Sequence, residues 1–172
     1  MEKQYKKCFV TVGTTRFDLL VNTIFKPSTL EALKRIGCKD IILQIGNSDF
    51  EIGKYERNGV VIDVYRLKDS IQEDIHKADL IISHAGAGSC LEALEAKKPL
   101  LVVINEDLMD NHQLELAEQL QIDGHLYYCT CDTLESTLEM VDFTLLSPFP
   151  EPDTSLFMKY LDDAFRVKQN VD

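Results

Sequence analysis

The sequence predicts an α/β fold, a Rossmann-like open parallel sheet with helices on both faces. Short apolar runs rich in valine and isoleucine recur along the chain, as expected of fully buried parallel strands. Amphipathic segments with helix-start signals separate these runs. Because parallel strands need crossover connections, which are usually helices, this alternation predicts a mostly parallel sheet that is covered on each face.

The five apolar runs predict strands over residues 8–12, 41–45, 60–64, 80–82 and 100–104. Sequences of the capping-box form predict helix starts at Ser28–Glu31, directly after Pro27, and at Ser70–Glu73. A further helix is predicted from about Cys90 to Ala96. Ligands of such sheets bind beyond the carboxyl ends of the strands, so the residues that follow each strand are the candidate site residues.

The last thirty residues differ in character from the rest of the chain. Prolines make residues 147–152 a helix-free linker, and apolar side chains at helical spacing predict a helix over residues 154–167. We expect residues 1–146 and residues 147–172 to belong to one domain. The terminal helix either packs against its own sheet or contacts a partner subunit.

The formal net charge of −11 limits the partners that the protein can bind by charge. A strongly acidic surface opposes contact with nucleic acid and with anionic lipid, so we expect no nucleic-acid partner. Any phosphate is then held mainly by backbone N–H groups. The first residues are polar and no apolar run approaches the roughly 20 residues of a spanning helix, so we expect a cytoplasmic protein.

The cysteine spacing favours reduced thiols. The lack of the Asp-x-Asp motif favours a protein without a bound metal ion. Cys129 and Cys131 do not have the spacing of a zinc or redox pair, so buried thiols are the simpler interpretation. Asp-x-Asp, the usual carboxylate pair for a divalent metal on a nucleotide diphosphate, is absent from the sequence. We therefore expect neither a metal nor a cofactor.

Two glycine-containing turns follow predicted strands. One is Gly13-Thr14-Thr15, and the other is Gly86-Ala87-Gly88-Ser89, which precedes a helix. Turns of this kind bring backbone N–H groups close to a phosphate at the positive end of a helix. A tight turn also needs glycine for its geometry alone, so both interpretations stay open.

Three polar features also have two interpretations each. Glu92 either completes a capping box with Ser89, which the spacing favours, or accepts the hydroxyls of a ribose. The segment Asp110–Gln113 either begins a helix or points into the ligand crevice. His84 is a candidate catalytic residue, although a lone histidine is more often structural.

Four ordered motifs, at residues 9–15, 42–46, 82–92 and 111–117, together resemble a known family. Over residues 8–131 the chain resembles the soluble subunits of eukaryotic UDP-N-acetylglucosamine transferases, which make the second sugar addition to dolichol diphosphate. That family is similar to the carboxyl-terminal half of the bacterial transferase that adds N-acetylglucosamine to the peptidoglycan lipid precursor. The resemblance implies a GT-B C-terminal-type domain whose residues 1–146 bind the UDP-sugar donor.

The resemblance also implies which residues bind the donor: Gly13, Thr14, Thr15, Ala87, Gly88, Ser89, Glu92, Asn111, His112 and Gln113. The first six would line the diphosphate, and Glu92 would accept the ribose hydroxyls. The last two match positions where the bacterial relative has glutamines near the donor sugar, and the histidine at 112 departs from that pattern.

The same resemblance implies that the chain is half of an enzyme. A separate, membrane-anchored subunit would bind the acceptor and recruit the chain to the cytosolic face of the endoplasmic reticulum. The pair would transfer N-acetylglucosamine from UDP-N-acetylglucosamine to N-acetylglucosaminyl-diphosphodolichol with inversion, while N–H groups and helix dipoles stabilise the leaving UDP. The partner would supply the general base, and His84 is the candidate within this chain.

Two other functions are compatible with the same donor domain. A stand-alone UDP-sugar hydrolase or epimerase would need all its chemical groups in one chain, which a single domain of 172 residues does not favour. A non-catalytic UDP-sugar-binding scaffold would bind UDP without turnover, even beside the membrane partner. In that case Glu92 would matter only for helix stability.

Overall fold

A computed structural model describes residues 3–108, 111–150 and 158–159, and of residues 108, 111 and 112 it describes the backbone alone. The elements in chain order are β1 (Lys7–Thr11), α1 (Asp18–Ile24), α2 (Pro27–Arg35), β2 (Asp40–Gln44), β3 (Gly53–Arg57), β4 (Val60–Tyr65), α3 (Gln72–Lys77), β5 (Leu80–His84), α4 (Ala87–Glu95), β6 (Leu100–Ile104), α5 (Asn111–Ile122), β7 (Tyr127–Thr130) and α6 (Leu134–Met140). Short 3-10 turns lie at Glu106–Leu108 and Phe143–Leu145.

The described strands form one sheet in the order β3-β4-β2-β1-β5-β6-β7. Every neighbouring pair is parallel except β3 and β4, which form an antiparallel hairpin at one edge. The predicted fold class is therefore confirmed. The sequence pattern missed β3, whose side chains are mostly exposed, and β7, which is only four residues long.

Two hydrophobic cores lie on opposite faces of the sheet, because successive side chains of each strand point in opposite directions. On one face, Cys8 and Val10 of β1 join a core that includes residues of α1, α2 and α6. On the other face, Phe9 joins a core that includes residues of α3, α4 and α5. Helices thus cover both faces, as the alternation of strands and helices predicts.

Two of the predicted capping boxes do not form. The helix α2 begins at Pro27, whose fixed φ suits the first helical position, and so Ser28 and Glu31 lie within the helix. Glu31 instead pairs with Lys34 at 3.2 Å. At α3 the Ser70 hydroxyl accepts a hydrogen bond from the backbone N–H of Gln72 at 3.2 Å, but Glu73 pairs with Lys77 instead of completing the box.

The described start of the linker packs against the domain. Residues 147–150 contain no helix, and the Ser147 N–H donates to the carbonyl oxygen of Gly124 at 2.8 Å. Phe149 is buried in the second core beside the ring of His125. The rest of the linker and the predicted helix over 154–167 lie outside the described residues, except for residues 158–159, so both interpretations of that helix stay predictions.

Candidate functional site

A pocket of about 360 Å³ lies at the carboxyl edge of the sheet. Four residues that the sequence singled out line it, namely Gly13, Thr14, Ser89 and Glu92. The others come from the end of β2 and from the connection between β4 and α3, which are Gln44, Leu67, Lys68, Asp69, Ser70, Ile71 and Gln72. The sequence therefore located one side of the pocket, and the structure adds the opposite side.

In the turn after β1, few N–H groups remain for a ligand. Gly13 has a φ of +62°, and its N–H donates to the hydroxyl oxygen of Thr11 at 2.9 Å. The Thr15 N–H donates to the carbonyl oxygen of Val12 at 3.3 Å. Among the described residues, nothing accepts from the N–H of Thr14. Within this turn, Thr14 is thus the residue whose backbone donor is available to a phosphate.

Close packing against the start of the next loop holds this turn in place. Gly46 has a φ of +52°, and a Cβ atom there would lie 2.5 Å from the carbonyl oxygen of Thr15. Only glycine allows the two backbones to approach so closely. The N–H of Asn47 then donates to that Thr15 oxygen at 2.9 Å, and Arg66 donates to the Gly46 carbonyl oxygen at 3.2 Å. The turns after β1, β2 and β4 are therefore joined at the pocket.

The first turn of α4 presents three backbone donors. The helix begins at Ala87, with the extended Gly86 as its N-cap, and its first N–H to find an intrahelical acceptor is that of Cys90, which donates to Gly86 at 3.1 Å. Helix geometry leaves the N–H groups of Ala87, Gly88 and Ser89 free. The predicted start near Cys90 was wrong by one turn. An anion at this end would meet three donors and the positive end of a nine-residue helix.

Glu92 does not cap the helix. Because α4 begins at Ala87, both Ser89 and Glu92 lie inside it, and the capping-box interpretation was wrong. The Glu92 side chain instead lines the pocket and accepts a hydrogen bond at Oε2 from Gln72 Nε2 at 2.8 Å. Since a carboxylate has about four acceptor sites, it retains capacity for two ligand hydroxyls.

The imidazole of His84, the last residue of β5, lies between the two glycine turns. A Cβ atom at Gly13 would lie 2.7 Å from His84 Nε2, and one at Gly86 would overlap His84 Cε1. Burial lowers the pKa of His84 from its usual 6.5 to about 4, so the ring is neutral near pH 7. A general base works best with a pKa near the working pH, and this environment therefore favours a ring that supports the two turns.

The loop between β4 and α3 is held by a partly buried network. The hydroxyl of Tyr65 donates to Asp74 Oδ2 at 2.7 Å, and Lys68 Nζ donates to the same oxygen at 2.9 Å. Lys68 Nζ also lies 4.3 Å from the centre of the Tyr65 ring. Burial, and then the hydrogen bond to Asp74, raise the pKa of Tyr65 far above its usual 10. The network fixes one wall of the pocket.

The structure does not place every predicted donor-binding residue in the lining of this pocket. Asn111 and His112 begin α5, but their side chains are outside the described part of the chain. Gln113 is exposed. Like Thr15, Ala87 and Gly88, it does not line the pocket. The predicted contacts of residues 111–113 with a donor sugar stay predictions.

The cysteines are buried, as the sequence favoured. All five are free thiols, and burial raises the pKa of Cys90 and of Cys129 to about 12. Within residues 3–108 and 111–150, no group of three or more histidine, cysteine or acidic side chains is arranged to hold a metal ion. None of the described helices has the length and apolar character needed to cross a membrane.

A second cavity, of about 290 Å³, lies beside α3 and away from the glycine turns. Its lining includes Lys7 and Asp40, the first residues of β1 and β2, together with Lys54, Asp63 and Lys77. It therefore reaches the amino ends of the parallel strands. Ligands of open α/β sheets bind at the opposite edge, so the pocket beside Glu92 is the candidate site.

Comparison with known proteins identifies the family. The profile of the glycosyltransferase family 28 C-terminal domain matches residues 7–164. The human UDP-N-acetylglucosamine transferase subunit ALG13 is 57% identical over 129 residues, which are 74% of this chain and 11% of the human protein. Its namesake in Cryptococcus neoformans is 31% identical over 189 residues, with 90% of this chain and 94% of the fungal protein covered. The chain thus spans 11% of the human and mouse relatives but nearly all of the fungal one.

Solved structures share the fold. The NMR solution structure of ALG13 has a TM-score of 0.73 and 26% identity, and the match covers 92% of this chain and 96% of that one. MurG from Acinetobacter baumannii has a TM-score of 0.58 at 18% identity, covering 95% of this chain and 48% of MurG, and so shows the fold alone.

The fold and the profile match define a glycosyltransferase domain of the GT-B C-terminal type. The chain belongs to the glycosyltransferase family 28 C-terminal domain family, and within it to the ALG13-type subunits of UDP-N-acetylglucosamine transferases.

Proposed function

We propose that this chain is the donor-binding half of a two-subunit transferase. It binds UDP-N-acetylglucosamine in the pocket at the carboxyl edge of the sheet. The enzyme transfers N-acetylglucosamine to N-acetylglucosaminyl-diphosphodolichol, and the transferred residue becomes the second sugar of the N-glycan precursor. The observation that carries the proposal is that Glu92, which does not cap α4, lines the pocket within two turns of three free N–H groups.

In this proposal, each part of the donor contacts a particular group of the chain. The N–H groups of Ala87, Gly88 and Ser89, with that of Thr14, bind the diphosphate. The Glu92 carboxylate accepts the two ribose hydroxyls while Gln72 holds its Oε2. Backbone donors suit this chain because its net charge of −11 repels an anionic ligand. Among the described residues that line the pocket, Lys68 is the single cationic side chain.

Catalysis at this site is mainly electrostatic. The bond between the anomeric carbon and the β-phosphate oxygen breaks as the acceptor hydroxyl attacks from the opposite side, and negative charge develops on UDP. Fixed N–H groups and the positive end of α4 stabilise that charge without reorganising. The acceptor hydroxyl must also lose its proton. With a pKa of about 4, His84 is a weak base near pH 7, which favours a base from the partner subunit.

The partner in this proposal is a membrane-anchored, acceptor-binding subunit. Both the human and the fungal relatives are named as subunits of a transferase, which supports a heteromeric enzyme. The partner recruits the chain to the cytosolic face of the endoplasmic reticulum, where the lipid-linked acceptor is presented. Residues 111–113 then face the donor sugar from the start of α5.

A transfer assay with a matched pair of variants tests the proposal. Labelled N-acetylglucosamine transfer to the lipid-linked acceptor is measured with and without membranes that contain the partner. Glu92→Gln keeps an acceptor for Gln72 but removes the charge that holds the ribose, so kcat/KM falls about 10- to 100-fold. Glu95→Gln makes the same change at an exposed position of α4 outside the pocket and leaves transfer unchanged.

Two outcomes contradict this proposal. If kcat/KM falls equally in both variants, transfer depends on the net charge of α4 and not on a contact between Glu92 and the ribose. No transfer despite a demonstrated complex with the partner makes the chain a UDP-sugar-binding scaffold.

A further inference from the structure

Gln44 is a buried polar residue that ends β2 and also lines the pocket. Its side chain lines the pocket although the residue is only 4% exposed. The hydroxyl of Thr11 donates to Gln44 Oε1 at 2.5 Å, and the oxygen of that hydroxyl accepts from the N–H of Gly13 at 2.9 Å. The Thr11 hydroxyl thus accepts from the Gly13 N–H and donates its own proton to Gln44, so the Oε1 end of the amide faces Thr11.

The other end of this amide has no acceptor. Within the described part of the chain, nothing accepts a hydrogen bond from Gln44 Nε2, which carries two N–H donors. Buried donors are nearly always satisfied, because an unpaired one costs the free energy of its lost hydration. Here the unpaired donor belongs to a residue that lines a pocket. Its acceptor therefore comes from the pocket, which is filled by water in the free protein and by the ligand when one is bound.

The position of Gln44 indicates which part of the ligand it meets, and this step rests on the proposed function. With the diphosphate at the first turn of α4 and the ribose at Glu92, the base extends away from α4. That direction leads to the β2 and β4 side of the pocket, where Gln44 pairs with Tyr65 and where the loop continues into Leu67. Among the described side chains that line the pocket, Gln44 is the polar one that is buried.

We propose that the Gln44 amide donates a hydrogen bond from Nε2 to a ring carbonyl of the pyrimidine base and so determines base specificity. A purely structural role would use only Oε1, which supports Thr11 and the Gly13 turn. A ligand role uses Nε2. Gln44→Glu separates the two, because it keeps an acceptor for Thr11 and removes the donor.

The test measures coupling between Gln44 and single atoms of the base. Calorimetric titration of the full chain gives the affinities of UDP, 2-thio-UDP and 4-thio-UDP, in which sulfur replaces one ring carbonyl oxygen and accepts hydrogen bonds poorly. Wild type binds one of the two thio analogues about 3- to 10-fold more weakly than UDP. In Gln44→Glu that same replacement changes affinity less than about twofold, since the donor is already gone.

Control variants keep the result interpretable. A buried carboxylate repels the diphosphate of all three ligands equally, so repulsion lowers every affinity without changing their ratios. Gln44→Met removes the donor without adding charge and gives the same ratios if the glutamate variant does not fold. Thr11→Val removes the link to the Gly13 turn but leaves Nε2 in place, so the thio penalty persists.

Two results overturn the assignment. If both thio analogues bind wild type as well as UDP does, or if the penalty is the same in wild type and in the Gln44 variants, Gln44 does not contact the base. Failure of wild type to bind UDP at all overturns the proposed function itself.

Discussion

At the residue scale, the site depends on polar side chains whose partners come from distant parts of the chain. Glu92 on α4 is held by Gln72 on α3 at 2.8 Å, and both line the pocket. This contact fixes one carboxylate oxygen and leaves the other to the ligand. An ordered acceptor loses less conformational entropy when it binds, which favours the ribose contact that we propose.

His84 gives the residue-scale prediction, which concerns pH. Burial lowers its folded-state pKa to about 4, whereas the unfolded chain takes up the proton near 6.5. Between these values the unfolded state binds more protons, so the free energy of unfolding falls as the pH drops through this window. At pH 5 the contribution of His84 to stability is smaller than at pH 8 by about 2 kcal/mol.

Urea denaturation at several pH values checks this. The wild-type free energy of unfolding falls more steeply from pH 8 to pH 5 than that of His84→Asn, and the two curves differ in slope by the amount that His84 contributes. Parallel curves contradict a buried, neutral histidine, because they mean that its pKa does not change on folding.

The residues also show where sequence reasoning stops. Sequence reasoning found four lining residues because they lie just beyond the carboxyl ends of strands, where ligands of this fold class bind. These are Gly13, Thr14, Ser89 and Glu92. The role of Glu92 depended on where α4 begins. The capping-box spacing predicted Ser89 as the N-cap, but the N-cap is Gly86. Gln44 was missed because it ends an apolar strand, and only its pairing with Thr11 shows that its amide nitrogen is left without an acceptor.

At the element scale, the approach of two loop backbones controls the turn after β1. Gly46→Ala places a Cβ atom 2.5 Å from the Thr15 oxygen and 2.6 Å from the Gly13 oxygen, at a φ of +52°. We expect a loss of stability of about 2–4 kcal/mol, from left-handed strain and from displacement of the turn. UDP affinity falls as well, because the Thr14 donor moves.

Gly59→Ala is the matched control for this prediction. Gly59 also has a positive φ, of 75°, but an added Cβ atom would lie 4.0 Å from its nearest non-neighbouring atom, at the flexible end of Lys34. Alanine there has only the conformational cost, about 1–2 kcal/mol, and UDP binding is unchanged. Urea denaturation measures the stability of both variants, and titration measures their UDP affinity. Equal effects of the two substitutions on UDP affinity would contradict a role for the Gly46 contact.

The elements that the sequence pattern missed have physical explanations. The edge strand β3 is mostly exposed and charged, so it has no apolar run, and it could have been found only from the Asn58-Gly59 pair. Both residues have positive φ, at 51° and 75°, as a two-residue hairpin turn requires. The strand β7 has four residues, of which only Cys129 is buried, which is too short a pattern to distinguish from a loop.

At the scale of the whole molecule, the fold explains why the site lies where it does. Parallel strands bring the turns after β1, β2, β4 and β5 to one edge of the sheet. The helices pack on the two faces of the sheet and form two separate hydrophobic cores. The pocket opens at that edge, while the second cavity lies near the amino ends. The alternation of apolar runs was enough to predict a parallel sheet covered on both faces, with its site residues at the carboxyl edge, since this depends on topology and not on individual contacts.

Binding of the UDP-sugar donor in the pocket beside Glu92 can be mapped directly by NMR. UDP-N-acetylglucosamine is titrated into the 15N-labelled chain while backbone and side-chain amide resonances are followed. We expect the largest shifts at the backbone amides of Thr14, Ala87, Gly88 and Ser89 and at the side-chain amide of Gln44. Shifts that gather instead around Lys54, Asp63 and Lys77 in the second cavity, or saturating donor without shifts at α4, would contradict binding in this pocket.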